Sequence, residues 1–251
     1  LNFDGNGYNT AVGYIAGAAV TTGVQNTLIG ALAGDAITDG KYNIALGKSA
    51  LSADTSGNRS IAIGLGALET QNFTSDTDVY NIGIGHRAGT AVTTGTQNTL
   101  IGGLAGDAIT TGGLNTAVGY QSLSTNTTGI RNSALGVDSL LSNTTGAENV
   151  AIGRTAMRLN STGGSNVAVG HEALQANTTA SNNTAVGYQS LFANTTGASN
   201  VAVGRVSMAS NTTGTLNVAM GQDALGLNTT GSNNTAVGET CLYSNTTASY
   251  N

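Results

Sequence analysis

A short pattern of polar and apolar positions recurs along the chain. It opens with Asn, continues with Thr, Val or Ile, and then runs through a small residue, an aliphatic residue and Gly. Asn9-Thr10-Ala11-Val12-Gly13, Asn149-Val150-Ala151-Ile152-Gly153 and Asn200-Val201-Ala202-Val203-Gly204 are three instances. The opening position falls at 9, 26, 43, 60, 81, 98, 115, 132, 149, 166, 183, 200, 217 and 234. Every step is 17 residues except one of 21, from Ser60 to Asn81, which places a four-residue insertion between 69 and 80. Counting from the opening Asn, position 4 is always aliphatic or Met, and position 5 is always Gly. Position 8 is Ala or Ser until Cys241 takes it in the last repeat. Residues 13–47 match residues 85–119 at 25 of 35 positions, the trace of a duplicated block of four repeats.

An amphipathic helix would show apolar residues every three or four positions. Here each β-compatible run is followed by a turn cluster such as Asn126-Thr127-Thr128-Gly129. Strands and turns at a fixed period predict stacked β-rungs. The expected fold is all-β, a parallel β-solenoid or β-roll of fourteen 17-residue rungs forming one array over residues 1–251. Each rung has room for about two short strands and two turns, and fourteen rungs at ~4.8 Å span roughly 65 Å. Gly at position 5 suits a bend, a positive φ or close backbone approach. Small residues at position 8 suit tight packing.

Stacked at rung spacing, the opening amides predict a hydrogen-bonded ladder. It runs through Asn9, Asn26, Asn43, Asn81, Asn98, Asn115, Asn132, Asn149, Asn166, Asn183, Asn200, Asn217 and Asn234, with Ser60 interrupting it. A correlation points to the core. Leu or Met at position 9 usually goes with Asn or Asp at position 12, as in Leu123 with Asn126 and Met208 with Asn211. Gly at position 9 goes with Val or Ile, as in Gly17 with Val20, Gly34 with Ile37, Gly89 with Val92 and Gly106 with Ile109. A core of constant volume requires such an exchange, so both positions should feed one buried region. One Leu and one Val per rung make a thin core, and packing against further copies of the chain would bury a second face.

Composition narrows the class. The chain has 251 residues, 37 Gly, no Pro and no Trp, and only 8% of its residues are charged. That is far from the globular average and excludes a helical bundle. A net charge of −5 leaves no basic footprint for nucleic acid. No apolar run reaches the ~18 residues of a membrane helix. The single Cys241 rules out an intramolecular disulfide framework. The chain opens at Leu1 rather than Met and reads as an excerpt of a longer one.

The consensus Asn-Val-Ala-Ile/Val-Gly-x-x-Ala-Leu resembles the head repeats of trimeric autotransporter adhesins. The stretches at 115–123 and 183–191, with their Asn-Thr-Ala-Val-Gly-Tyr-Gln-Ser-Leu run and trailing Asn-Thr-Thr-Gly, resemble the arrays of phage tail-fibre-like proteins. The resemblance covers essentially the whole chain. It implies a left-handed β-roll packed as a homotrimer and a place on an extracellular, virion or cell surface. No coiled-coil stalk, anchor or chaperone domain accompanies the repeats here.

Individual residues offer little chemistry. Cys241 reads as a small packed residue. His86 and His171 fall at position 6, which also holds Tyr14, Lys48, Arg154, Gln222 and Glu239, a variety that reads as solvent-facing. The two histidines are five repeats apart, too far to share a metal. The Gly83-Ile84-Gly85-His86-Arg87-Ala88 run mimics a dinucleotide fingerprint but lies in phase with the repeat and precedes no helix. No cofactor or metal set is implied. Exposed Tyr14, Arg87, Tyr120, Tyr188 and Arg205 are candidate surface contacts.

Glycosylation sequons fill position 12 at Asn126, Asn143, Asn160, Asn177, Asn194, Asn211, Asn228 and Asn245. At ~4.8 Å spacing, glycans there would crowd, so this column reads as turn amides. Asn58, Asn72, Asn182 and Asn233 lie off the column and are the candidate glycan acceptors.

The expected role is the structural or adhesive shaft or head of an extracellular fibre. Its partners would be copies of itself, as a homotrimer or end to end, and a cell-surface or matrix ligand. Gly7-Tyr8-Asn9 and Ser249-Tyr250-Asn251 leave the two termini in register. An ice- or surface-binding solenoid is the alternative, carried by Thr127, Thr144, Thr178, Thr195, Thr212, Thr229 and Thr246 with Ser161 between them. A glycan-depolymerising spike would need an acidic pair, but Asp35, Asp107, Asp138, Glu172 and Asp223 are scattered over distant rungs.

Overall fold

The computed structural model describes residues 7–251. Residues 1–6 of the expected array lie outside them. The described chain is an all-β parallel β-solenoid divided into two compact units, one reaching Thr128 and the other spanning Gly129–Asn251.

The first unit holds β1 (Thr10–Val12), β2 (Thr27–Ile29), β3 (Ile44–Leu46), β4 (Gly57–Asn58), β5 (Ile61–Ile63), β6 (Thr77–Asp78), β7 (Ile82–Ile84), β8 (Thr99–Ile101) and β9 (Thr116–Val118). The second holds β10 (Ser133–Leu135), β11 (Val150–Ile152), β12 (Val167–Val169), β13 (Thr184–Val186), β14 (Val201–Val203), β15 (Val218–Met220) and β16 (Thr235–Val237). Each full turn contributes one three-residue strand; the turns opening at 43 and 60 add a second, two-residue strand, and the other described turns do not reach the two that their length allows. The rest of the turn is bends, stitched rung to rung by single hydrogen bonds.

Within each unit, consecutive turns pair in parallel at the repeat register, as in Thr10↔Thr27 and Val167↔Thr184. Thr10 N–H donates to Asn26 O, and Gly30 N–H donates back to Val12 O, both at 2.8 Å. The insertion does not slip the register, because Ile61 still faces Ile82. Within it Thr77–Asp78 forms β6, which pairs with β4 of the preceding turn in a second small sheet.

Side-chain direction follows the period of two in a strand. Position 3 points inward, so Leu28, Ala45, Ala62, Leu100 and Ala168 are fully buried. Positions 2 and 4 point outward. The Val expected in the core is therefore on the outward face, and the inward residue is a small one in most turns, with Leu28 and Leu100 as the larger exceptions.

The core is completed by positions 8, 9 and 12. Leu51, Leu68, Leu123, Met157 and Met208 at position 9 are fully buried. In the Gly-type turns, Ile37 and Ile109 at position 12 are buried instead. A Cβ on Gly34 would lie 2.7 Å from Leu28 and 2.9 Å from Ile37, so those two side chains occupy the space that Leu takes elsewhere. The exchange between positions 9 and 12 is a volume exchange, as expected, with position 3 as a third participant.

Positions 7, 9 and 17 adopt left-handed backbone in turn after turn, as in Leu32 (φ 60°), Leu51 (φ 53°) and Tyr42 (φ 62°). Left-handed backbone costs an L-residue about 1–2 kcal/mol. Hydrogen bonding between rungs offsets it: Leu32 N–H donates to Tyr14 O and Leu51 N–H to Ala67 O. Position 5 is stricter. Gly170 sits at φ 136°, and a Cβ there would come within 2.5 Å of Gly187 O. No other residue fits.

Candidate functional site

The predicted Asn ladder is present in both units. Asn26 Oδ1 accepts the backbone N–H of Asn43 at 2.9 Å, and Asn166 Oδ1 accepts that of Asn183 at 2.9 Å. Each amide Nδ2 also reaches across its own turn to the carbonyl at position 15, as from Asn26 to Gly40 and from Asn149 to Gly163, both at 2.8 Å. At Ser60 the ladder lacks an amide, and Gln71 stands in for it. Gln71 Nε2 donates to Ser60 Oγ at 2.9 Å, while its Oε1 accepts from Asn81 Nδ2 at 2.9 Å.

Sequence reasoning missed a second ladder. In the Gly129–Asn251 unit the sequon asparagines hydrogen-bond to one another. Asn160 donates to Asn143 Oδ1 at 2.8 Å, and Asn177 to Asn160 Oδ1 at 2.7 Å. Asn126, Asn143, Asn160, Asn177, Asn194, Asn211 and Asn228 are fully buried. The turn reading therefore describes this column, and a glycan transferase has no access to these seven in the folded protein. Among the off-column sites, Asn72 and Asn182 are exposed and Asn233 is half-buried. Asn58 is a correction: it is buried, its Oδ1 accepts Lys41 N–H at 2.8 Å, and its Nδ2 donates to Asp76. It is a structural residue, not a glycan acceptor.

The threonines proposed for ice contact are also engaged. Thr144, Thr178, Thr195, Thr212 and Thr229 each donate the hydroxyl to a carbonyl one turn on, at 3.0–3.1 Å. Tyr14, Arg87, Tyr120, Tyr188 and Arg205 are all exposed, as read. Each lies on a different turn of its unit. Tyr188 stacks on His171 at 5.6 Å, and Arg205 approaches Asp223 at 3.7 Å. Burial raises the pKa of Asp107, but among the described residues no three His, Cys, Asp or Glu side chains gather to hold a metal.

Two surface features remain. The first is the outward face of the strands. Positions 2 and 4 hold only Thr, Ser, Val, Ile, Leu and Met. Leu46, Leu135 and Met220 are 42%, 48% and 44% exposed. In each unit this is an uncharged, regularly ridged strip.

The second feature is a groove of about 440 Å³ at the insertion, lined by Lys41, Tyr42, Asn58, Arg59, Asp76 and Asp78. Lys41 Nζ lies 2.9 Å from Asp76 Oδ2, and Arg59 pairs with Asp78. The Asp76 carboxylate holds the Lys41 pKa above its ordinary value; Lys41 and Asn58 hold that of Asp76 below its own. The Arg59 guanidinium sits between the rings of Tyr42 and Tyr80, 5.0 and 5.7 Å from their centroids. Below the groove, fully buried Asp54 accepts from Phe73 N–H at 2.9 Å, Gly57 N–H at 3.2 Å and Gln71 Nε2 at 2.6 Å. Burial raises the Asp54 pKa in spite of these bonds. One sequence signal pointed here: eight of the 21 charged residues fall between 39 and 78.

In comparisons with known proteins, no family model, curated protein or solved structure matches the chain.

Proposed function

We propose that this chain is a structural and adhesive segment of an extracellular fibre, built by packing copies of itself along the outward strand face. The observation that carries the reading is that face. Two columns of mostly β-branched and aliphatic side chains stand partly exposed, with no charge in either. Such a strip matches a partner with the same ridges at the same spacing of about 4.8 Å, and another copy of the chain supplies one. Burying the exposed part of each Val or Ile contributes less than about 1 kcal/mol, a gain that sums over many turns. The rest of the turn is a spacer: Gly, Asn and Thr are consumed by hydrogen bonding between rungs, which gives rigidity without catalytic side chains. The homotrimer is the proposed form, and repeated weak contacts along it would give adhesion its avidity.

The test is a charged pair in the outward column. Val186→Glu with Val203→Glu leaves the buried positions untouched. Sedimentation velocity should show the wild type as an oligomer and the variant as a monomer of 24.8 kDa with an unchanged circular dichroism spectrum. A wild type that sediments as a monomer overturns the proposal.

A further inference from the structure

The groove at the insertion is a built feature of the fold. Phe73 and Val79 are buried on either side of the bulge and anchor it. Asp54 and Gln71 hold its base through buried hydrogen bonds, and β4–β6 pairing holds its rim. Its side chains are thus positioned before any ligand arrives, which lowers the entropic cost of binding. Its volume lies within the range of about 300–1,000 Å³ typical of small-molecule sites.

The charges identify the class of ligand. Two cations face two carboxylates, and each is already paired, so the lining is neutral as a whole. A phosphate or a carboxylate would meet a carboxylate beside each cation, and a metal ion a cation beside each carboxylate, so the neutral lining favours neither. A hydroxyl group suits it, because it donates to a carboxylate while accepting from an ammonium or guanidinium. The side chains of Lys41, Arg59, Asp76 and Asp78 remain 35–64% exposed, so a ligand can reach all four. The Tyr42 ring, which is 44% exposed, adds apolar surface for sugar C–H groups beside the charged pairs.

We infer that this groove binds a neutral saccharide unit of a surface glycan, with sugar hydroxyls bridging the Lys41–Asp76 and Arg59–Asp78 pairs. The inference rests on the adhesive half of the proposed function and is independent of self-association.

The experiment applies the labelled full chain, with Arg59→Ala and Asp78→Ala variants, to a microarray of neutral and acidic glycans. Titration of the strongest neutral binder follows. The expected result is binding to neutral glycans that each variant weakens roughly tenfold or more, at unchanged circular dichroism and solution mass. Binding confined to acidic glycans overturns the assignment, as does binding that both variants retain. A wild type that binds no glycan on the array also overturns it. The solution mass, measured on the same sample, shows whether the fibre reading survives that failure.

Discussion

At the scale of single residues, two positions in the turn have no substitute. Gly at position 5 combines a φ near 130° with a neighbouring carbonyl where a Cβ would sit. Gly170→Ala should therefore cost at least about 2 kcal/mol. Gly103→Ala, one position further along its own turn, meets only the Tyr120 ring at 3.5 Å and should fall within about 0.5 kcal/mol of wild type. Denaturant unfolding of both variants measures the contrast. Asn at position 1 closes the ladder from both sides. Asn166→Ala leaves the Asn183 N–H without its acceptor in the interior, and should cost about 2–3 kcal/mol in the same assay.

Asp54 makes a prediction of opposite sign to that of an ion-paired carboxylate. Burial raises its folded pKa, so the folded state binds the proton more readily than the unfolded one. Its contribution to stability is fully present below the ordinary value of 3.8 and is lost as pH rises through the raised folded value. The difference in unfolding free energy between wild type and Asp54→Asn should fall across that window and be flat above it. A difference that rises with pH would contradict the desolvated carboxylate.

At the scale of the element, the turn works as a volume-balanced unit. Leu28→Ala opens a cavity at a cost of about 2–5 kcal/mol, and Gly34→Leu overfills the same space at about 1–3 kcal/mol. The two together should be more stable than either alone, a coupling that a double-mutant cycle measures. This exchange was legible in the sequence, because repeats vary around a constant volume and the pairs Gly34–Ile37 and Leu123–Asn126 display it. The period, the parallel register and the first Asn ladder were legible for the same reason. The inward face was not. A Val is larger than the Ala beside it, so size alone put one Val per rung in the core, whereas the strand's alternation turns Val12 and Ile152 out and Ala11 and Ala151 in. The second ladder was hidden because Asn-Thr-Thr reads equally as a turn and as a sequon. The left-handed positions 7, 9 and 17 carry Leu, Tyr and Arg, residues that give no local sign of that backbone.

At the scale of the molecule, a uniform turn leaves its interior fully occupied and places what varies on the surface. The groove at the insertion was illegible as a site because Lys41, Arg59 and Asp76 are far apart in sequence; only the preserved register across the bulge brings them together. The proposed self-association rests on the uncharged outward face. The most direct measurement is the molar mass of the chain in solution by light scattering coupled to size-exclusion chromatography. The proposed homotrimer has three times the chain mass of 24.8 kDa, and that mass is the expected result. A single-chain mass at all concentrations would contradict it.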